Sequence, residues 1–118
     1  MTDRETYAPL VFFEYDHHQG RYCLMLTDDA MVAREDVFSA YGYDGGGYAW
    51  TGVARCIVRT WEPEEAGRVG FDPEAGMFVA YGEDPEALRR LGKLMREAFE
   101  DPSVLREYVR DGEPDWFD

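Results

Sequence analysis

One run of residues constrains this chain more than any other. Trp50, Val53, Ala54, Ile57, Val58 and Trp61 fall at i, i+3, i+4, i+7, i+8 and i+11, the spacing of one face of an α-helix. A stripe so broad and aromatic has to be buried, so the fold must be assembled around this helix. Gly45-Gly46-Gly47 opens it, inside a loop that runs from Tyr41 to Tyr48, and Pro63 closes it beside Glu62, Glu64 and Glu65.

The flanking segments supply the partner surface. Pro9 to Tyr15 (PLVFFEY) and Arg21 to Thr27 (RYCLMLT) are β-rich runs separated by Asp16-His17-His18-Gln19-Gly20, which reads as an antiparallel hairpin with a loop closed by glycine. Leu10 and Phe12 alternate with Val11, Phe13 and Tyr15, so both faces are apolar and burial on both sides is expected. Met31 to Tyr41 is a short helical candidate. Arg68 to Phe71 and Met77 to Tyr81 form a second hairpin across Asp72-Pro73-Glu74-Ala75-Gly76, where proline fixes φ and glycine permits positive φ.

Asp84-Pro85-Glu86 then combines an N-cap, a proline at the first helical position and an acid in the first turn, with Leu88, Leu91, Leu94, Met95, Ala98 and Phe99 as the apolar stripe. Asp101-Pro102 repeats the start signal for a last helix that stops near Gly112. The expected fold class is α+β: a small antiparallel sheet of about four strands, made of two hairpins and covered by two to four helices on one face. Residues 1–118 form one domain, with 113–118 as a loose tail. The surface-scaling rule lets about two-thirds of the surface of such a chain be buried.

Charge narrows the choice of partner. With 25 Asp+Glu against 12 Lys+Arg the net charge is −13, while 45% hydrophobic residues place the chain outside the disordered acidic class. Phosphate or anionic-lipid contacts require Lys and Arg, so neither nucleic acid nor membrane is an expected partner. No apolar run approaches a membrane span, and no leader pattern opens the chain. Cys23 and Cys56 sit among apolar neighbours and read as core thiols of a reducing compartment. A cytoplasmic protein is expected, and eleven Arg to one Lys fits a GC-rich bacterial genome.

Residues 1–60 carry 5 basic and 9 acidic groups, and residues 61–118 carry 7 and 16. The helix after Pro85 can balance its own charges, with Glu86 facing Arg89 and Arg90, Lys93 facing Glu97 and Arg96 facing Glu100. The surplus acid therefore lies in connectors, where scaffolds present binding residues.

Catalytic chemistry is thinly provided. Ser39 and Ser103 are the only serines, and His17 and His18 are adjacent in a turn, so they do not converge on one nucleophile. No metal-binding spacing occurs, and no cofactor, metal or catalytic residue is expected. The glycine run lacks the lysine and hydroxyl residue of a phosphate-binding loop. It lets the chain cross closely over the sheet while Tyr41, Tyr43, Asp44 and Tyr48 either face outward as a binding surface or cover the rim of the core.

Gly45-Gly46-Gly47-Tyr48-Ala49-Trp50, followed by Phe71-Asp72-Pro73-Glu74-Ala75-Gly76-Met77-Phe78 and a leucine-rich helix, resembles the immunity protein 51 family of bacterial polymorphic toxin systems. The family's motifs read Gly-Asn-Gly-Tyr-Asp-Trp and Asp-x-Glu-Ala-Gly-Met-Phe. This chain has Gly46 and Ala49 at the Asn and Asp positions of the first. The resemblance implies a non-enzymatic antidote that binds a cognate toxin protein, and acidic loops would suit a toxin with a basic cleft. The candidate contact residues are Tyr43, Asp44, Gly45, Gly46, Gly47, Tyr48, Asp72 and Glu74, whereas Trp50 and Phe78 read as core. The alternative is an acidic nucleic-acid mimic or an inhibitor of a basic host protein.

Overall fold

A computed structural model describes residues 4–117. Strands β1 (Val11–Glu14) and β2 (Tyr22–Thr27) form the first hairpin, with Phe12 opposite Leu24 and Phe13 opposite Cys23. The second hairpin joins β3 (Gly70–Phe71) to β4 (Met77–Gly82). β2 pairs antiparallel with β4 along its whole length, giving a four-stranded sheet of order β1-β2-β4-β3.

A helical excursion separates the hairpins. Helix α1 (Asp28–Met31), a 3-10 turn (Val32–Arg34) and α2 (Glu35–Ser39) follow β2 without a break. The expected helical stretch from Met31 thus begins three residues earlier, at Asp28, and is kinked rather than continuous. Helix α3 (Gly47–Val58) comes next, then the short α4 (Pro63–Ala66).

After β4, α5 (Pro85–Glu100) is capped by the Asp84 carboxylate, which accepts from the Glu86 and Ala87 amides. Helix α6 (Pro102–Asp111) is capped in the same way by Asp101, which accepts from the Ser103 amide. These caps satisfy amides that the first helical turn leaves without partners.

Helices α3 and α5 lie on one face of the sheet, and α6 braces both from behind. Phe12, Leu24, Leu26, Phe78 and Ala80 meet Trp50, Val53, Leu88, Leu91 and Met95 in a single core. Helix α3 is enclosed more completely than a single stripe implies. Besides Trp50 and Ile57, it buries Thr51, Gly52 and Cys56, and the Cys56 thiol donates to the Tyr108 carbonyl of α6 at 3.4 Å.

The expected loose tail is packed. Pro114–Phe117 forms a 3-10 turn, and the Phe117 ring, 2% exposed, stacks on Tyr43 at 5.0 Å. It lies over Gly52, where an added Cβ would be 2.5 Å from the ring. An aromatic residue can dock there because α3 has no side chain at that point.

Charge pairing follows the expected pattern only in part. Arg89 pairs with Glu86, and Arg96 with Glu100 at 3.4 Å, but Arg90 reaches across to Glu65 of α4. Arg68 bridges Glu64 at 2.7 Å and Asp84 at 2.9 Å. Several connector acids are therefore already paired within the fold.

Candidate functional site

The first surface is the junction between the glycine loop and the β3–β4 turn. Gly45, at φ 79°, swings the chain from Tyr43 toward α3 and packs against Phe38. The Gly47 amide donates to the Ala75 carbonyl at 2.9 Å. A Cβ at Gly47 would lie 1.9 Å from the Glu74 carbonyl oxygen and 2.4 Å from that of Met77, and one at Gly46 would lie 2.4 Å from the Ala75 oxygen. Loop and turn touch only because both positions lack side chains. Any side chain at position 46 would have to displace this backbone.

The glycines are thus a packing device, with the Gly47 amide committed to the turn rather than free for an anion. Around the junction Asp44, Tyr48 and Glu74 are exposed, Tyr48 by 45%. Tyr43 is turned inward onto Phe117 and acts as support. Asp72, although in the same turn, lies in a different depression of about 370 Å³ with Tyr15, His17, His18, Arg21, Val79 and Tyr81. The eight candidates are therefore divided: three exposed at the junction, four inside its frame, and Asp72 on the sheet.

The second surface is the face of the sheet turned away from the helices. Here the expectation of two-sided burial is corrected: α3 and α5 cover the Phe12 side, and among the described residues the opposite side carries no helix. Phe13, Cys23 and Tyr81 form one row across β1, β2 and β4, and Val11, Met25 and Val79 form the next. Tyr15 and Met77 extend the surface at its two ends. All are partly exposed except Cys23, which the flanking rings and Tyr15 cover.

Burial pushes the Tyr15 phenol up to about 12, and a hydrogen bond to the Cys23 sulfur adds to the rise. Burial likewise raises the Cys23 thiol. Both groups are neutral near pH 7, so these rows contribute no charge. Arg4 lies over the Phe13 ring at 5.1 Å and Arg21 over Tyr81 at 4.8 Å, in cation–π geometry. Tyr81 can lie flat across β3 because Gly70 beneath it has no Cβ, which would sit 2.5 Å from the ring.

Only the apolar character of this face was legible in advance. The alternation in β1 makes both of its sides apolar. His17 and His18 are exposed in the β1–β2 loop, and among the described residues no group of three or more His, Cys, Asp or Glu could hold a metal ion.

These features define a small α+β domain with one helical layer, whose distinctive surfaces are an aromatic sheet face and an acid-bearing loop junction. Residues 10–114 match the family model for immunity protein 51, and the chain belongs to that family. The match spans both hairpins, the glycine loop and all the helices. No curated protein and no solved structure matches the chain. No helix among the described residues is long and apolar enough to cross a membrane.

Proposed function

We propose that this chain is a cytoplasmic antidote: it binds a cognate bacterial toxin domain and blocks it by occupying its surface, with no catalytic step of its own. The observation that carries the reading is the family match over residues 10–114. The physical features agree with it. A net charge of −13 speeds association with a basic cleft. Asp44, Tyr48, Asp72 and Glu74 are the contacting residues at the loop junction and beside it, while Tyr43, Gly45, Gly46 and Gly47 hold that junction in shape.

The test is co-expression with the toxin encoded beside its gene. A stable complex on size-exclusion chromatography, together with restored growth of toxin-expressing cells, is the expected result. Growth arrest that the chain does not relieve, with no complex formed, would refute the reading.

A further inference from the structure

We infer that the bare face of the sheet is the core of the interface with the toxin domain, and that the toxin covers it with an apolar patch bearing a carboxylate opposite Arg21. This inference rests on the antidote reading and adds where, and against what chemistry, the partner sits.

The composition of the face is that of an interface core. Its two central rows, Phe13-Cys23-Tyr81 and Val11-Met25-Val79, hold no charged side chain. Aromatic residues, methionine and arginine are the types enriched at the centres of protein contacts. None of these residues belongs to the core cluster under the helices, and of the six only Cys23 is buried. The patch is contiguous and on the order of a few hundred Å², the size at which the largest apolar patch of a monomer is often functional.

Charge complementarity identifies the occupant. Of the arginines, Arg68, Arg89, Arg90, Arg96 and Arg110 pair with carboxylates, and Arg34 and Arg59 donate to backbone carbonyls. Among the described residues Arg4 and Arg21, like Arg55 and Arg106, have no carboxylate within ion-pair distance, and these two lie over rings of this face. A guanidinium over a ring, with no carboxylate on its donors, is suited to pair with one from a partner. Asp72 borders the same depression as Arg21, so a basic group of the partner has a place beside the carboxylate.

A second copy of this chain fits less well. Four strands at about 4.8 Å spacing and about five residues of length give a projected area of roughly 300 Å², whereas a stable contact removes about 800 Å² from each partner. For any partner the rest must come from the rim, and two copies would bring together chains that each carry a net −13.

The experiment measures affinity for the adjacent toxin by calorimetry, using the full chain and three variants whose folding is checked by circular dichroism. Val79→Asp places a charge in the second row and is expected to weaken binding about 100-fold, the scale of a central contact. Arg21→Glu, at the rim and without a role in the core, is expected to weaken it about 10-fold. Val32→Asp alters an apolar residue that is 66% exposed on the helical excursion and should leave affinity within about twofold. If Val79→Asp fails to fold, Arg21→Glu decides alone. Wild-type binding with Arg21→Glu and any folded Val79→Asp both within about twofold of it would overturn the docking surface and leave the antidote reading standing. No binding by the wild type removes both. A dimer seen by sedimentation that Arg21→Glu or Val79→Asp dissociates would assign the face to a second copy and overturn the inference.

Discussion

Replacing Gly47 by alanine tests whether the glycine loop is a packing device. In the first turn of a helix, Gly→Ala is ordinarily favourable by up to about 1 kcal/mol. Here the added methyl would sit 1.9 Å from one carbonyl oxygen and 2.4 Å from a second, against an ordinary carbon–oxygen contact of about 3.4 Å. Both obstacles are backbone atoms of the β3–β4 turn, so a side-chain rotation cannot relieve them. The loop must draw back by more than 1 Å, stretching the 2.9 Å hydrogen bond from the Gly47 amide to Ala75. Overpacking costs about 1–3 kcal/mol, and a buried amide left without its acceptor about 1–3 kcal/mol more. Set against the helical gain, the net destabilisation is about 3 kcal/mol. That is a large share of the total for a domain of this size, and it corresponds to a fall in Tm of about 12 °C. Urea unfolding followed by circular dichroism measures it, with equal slopes showing that both chains unfold alike. Gly42→Ala is the control: Gly42 has φ 84° but nothing within 4 Å of an added Cβ, so it should lose only about 1 kcal/mol from backbone strain. Gly47→Ala as stable as the wild type, or no worse than Gly42→Ala, would refute the steric account.

Two further outcomes follow from the fold. Phe117→Ala should cost about 3 kcal/mol in urea unfolding, because it empties a buried site between Tyr43 and Gly52; an unchanged midpoint would mean that the C-terminal turn adds nothing to stability. Asp84→Ala should cost about 1 kcal/mol near neutral pH through loss of the α5 cap. The hydrogen bond from Arg68 is the chief cause holding the Asp84 carboxyl below the usual carboxylate range, with the Ala87 and Glu86 amides adding to it. A folded value below the unfolded one means that the stabilisation is complete above the ordinary carboxylate pKa and is lost as pH falls through the folded value. Unfolding free energies measured on acidification from about pH 7 should therefore show the gap between wild type and variant narrowing below the ordinary carboxylate pKa of about 4; a gap that stays constant through the acid limb would contradict the assignment.

What could be read in advance, and what could not, separates by the range of the forces involved. The caps at Asp84 and Asp101, the glycine-closed hairpin and the α3 stripe depend on residues a few positions apart, so the string of residues contains their cause. Arg90 shows the limit. Its helical neighbour Glu86 is the expected partner, yet it pairs with Glu65, since distance in space decides a salt bridge and α4 brings that carboxylate within reach. Tyr43 and Phe117 show the same limit among rings: 74 positions apart, they stack because Gly52 leaves room.

The candidate site divides along the same line. Acid in the loops and the two glycine-bearing motifs were legible, and so was the α+β class. That the motifs touch each other, that Asp72 faces the sheet's bare side, and that this side is bare at all are decisions of the tertiary structure. Alternation in β1 shows that both faces are apolar, but which one is covered depends on the side to which every helical connection crosses. In this chain α3 and α5 cross to the same side, and the apolar face opposite them carries no helix among the described residues.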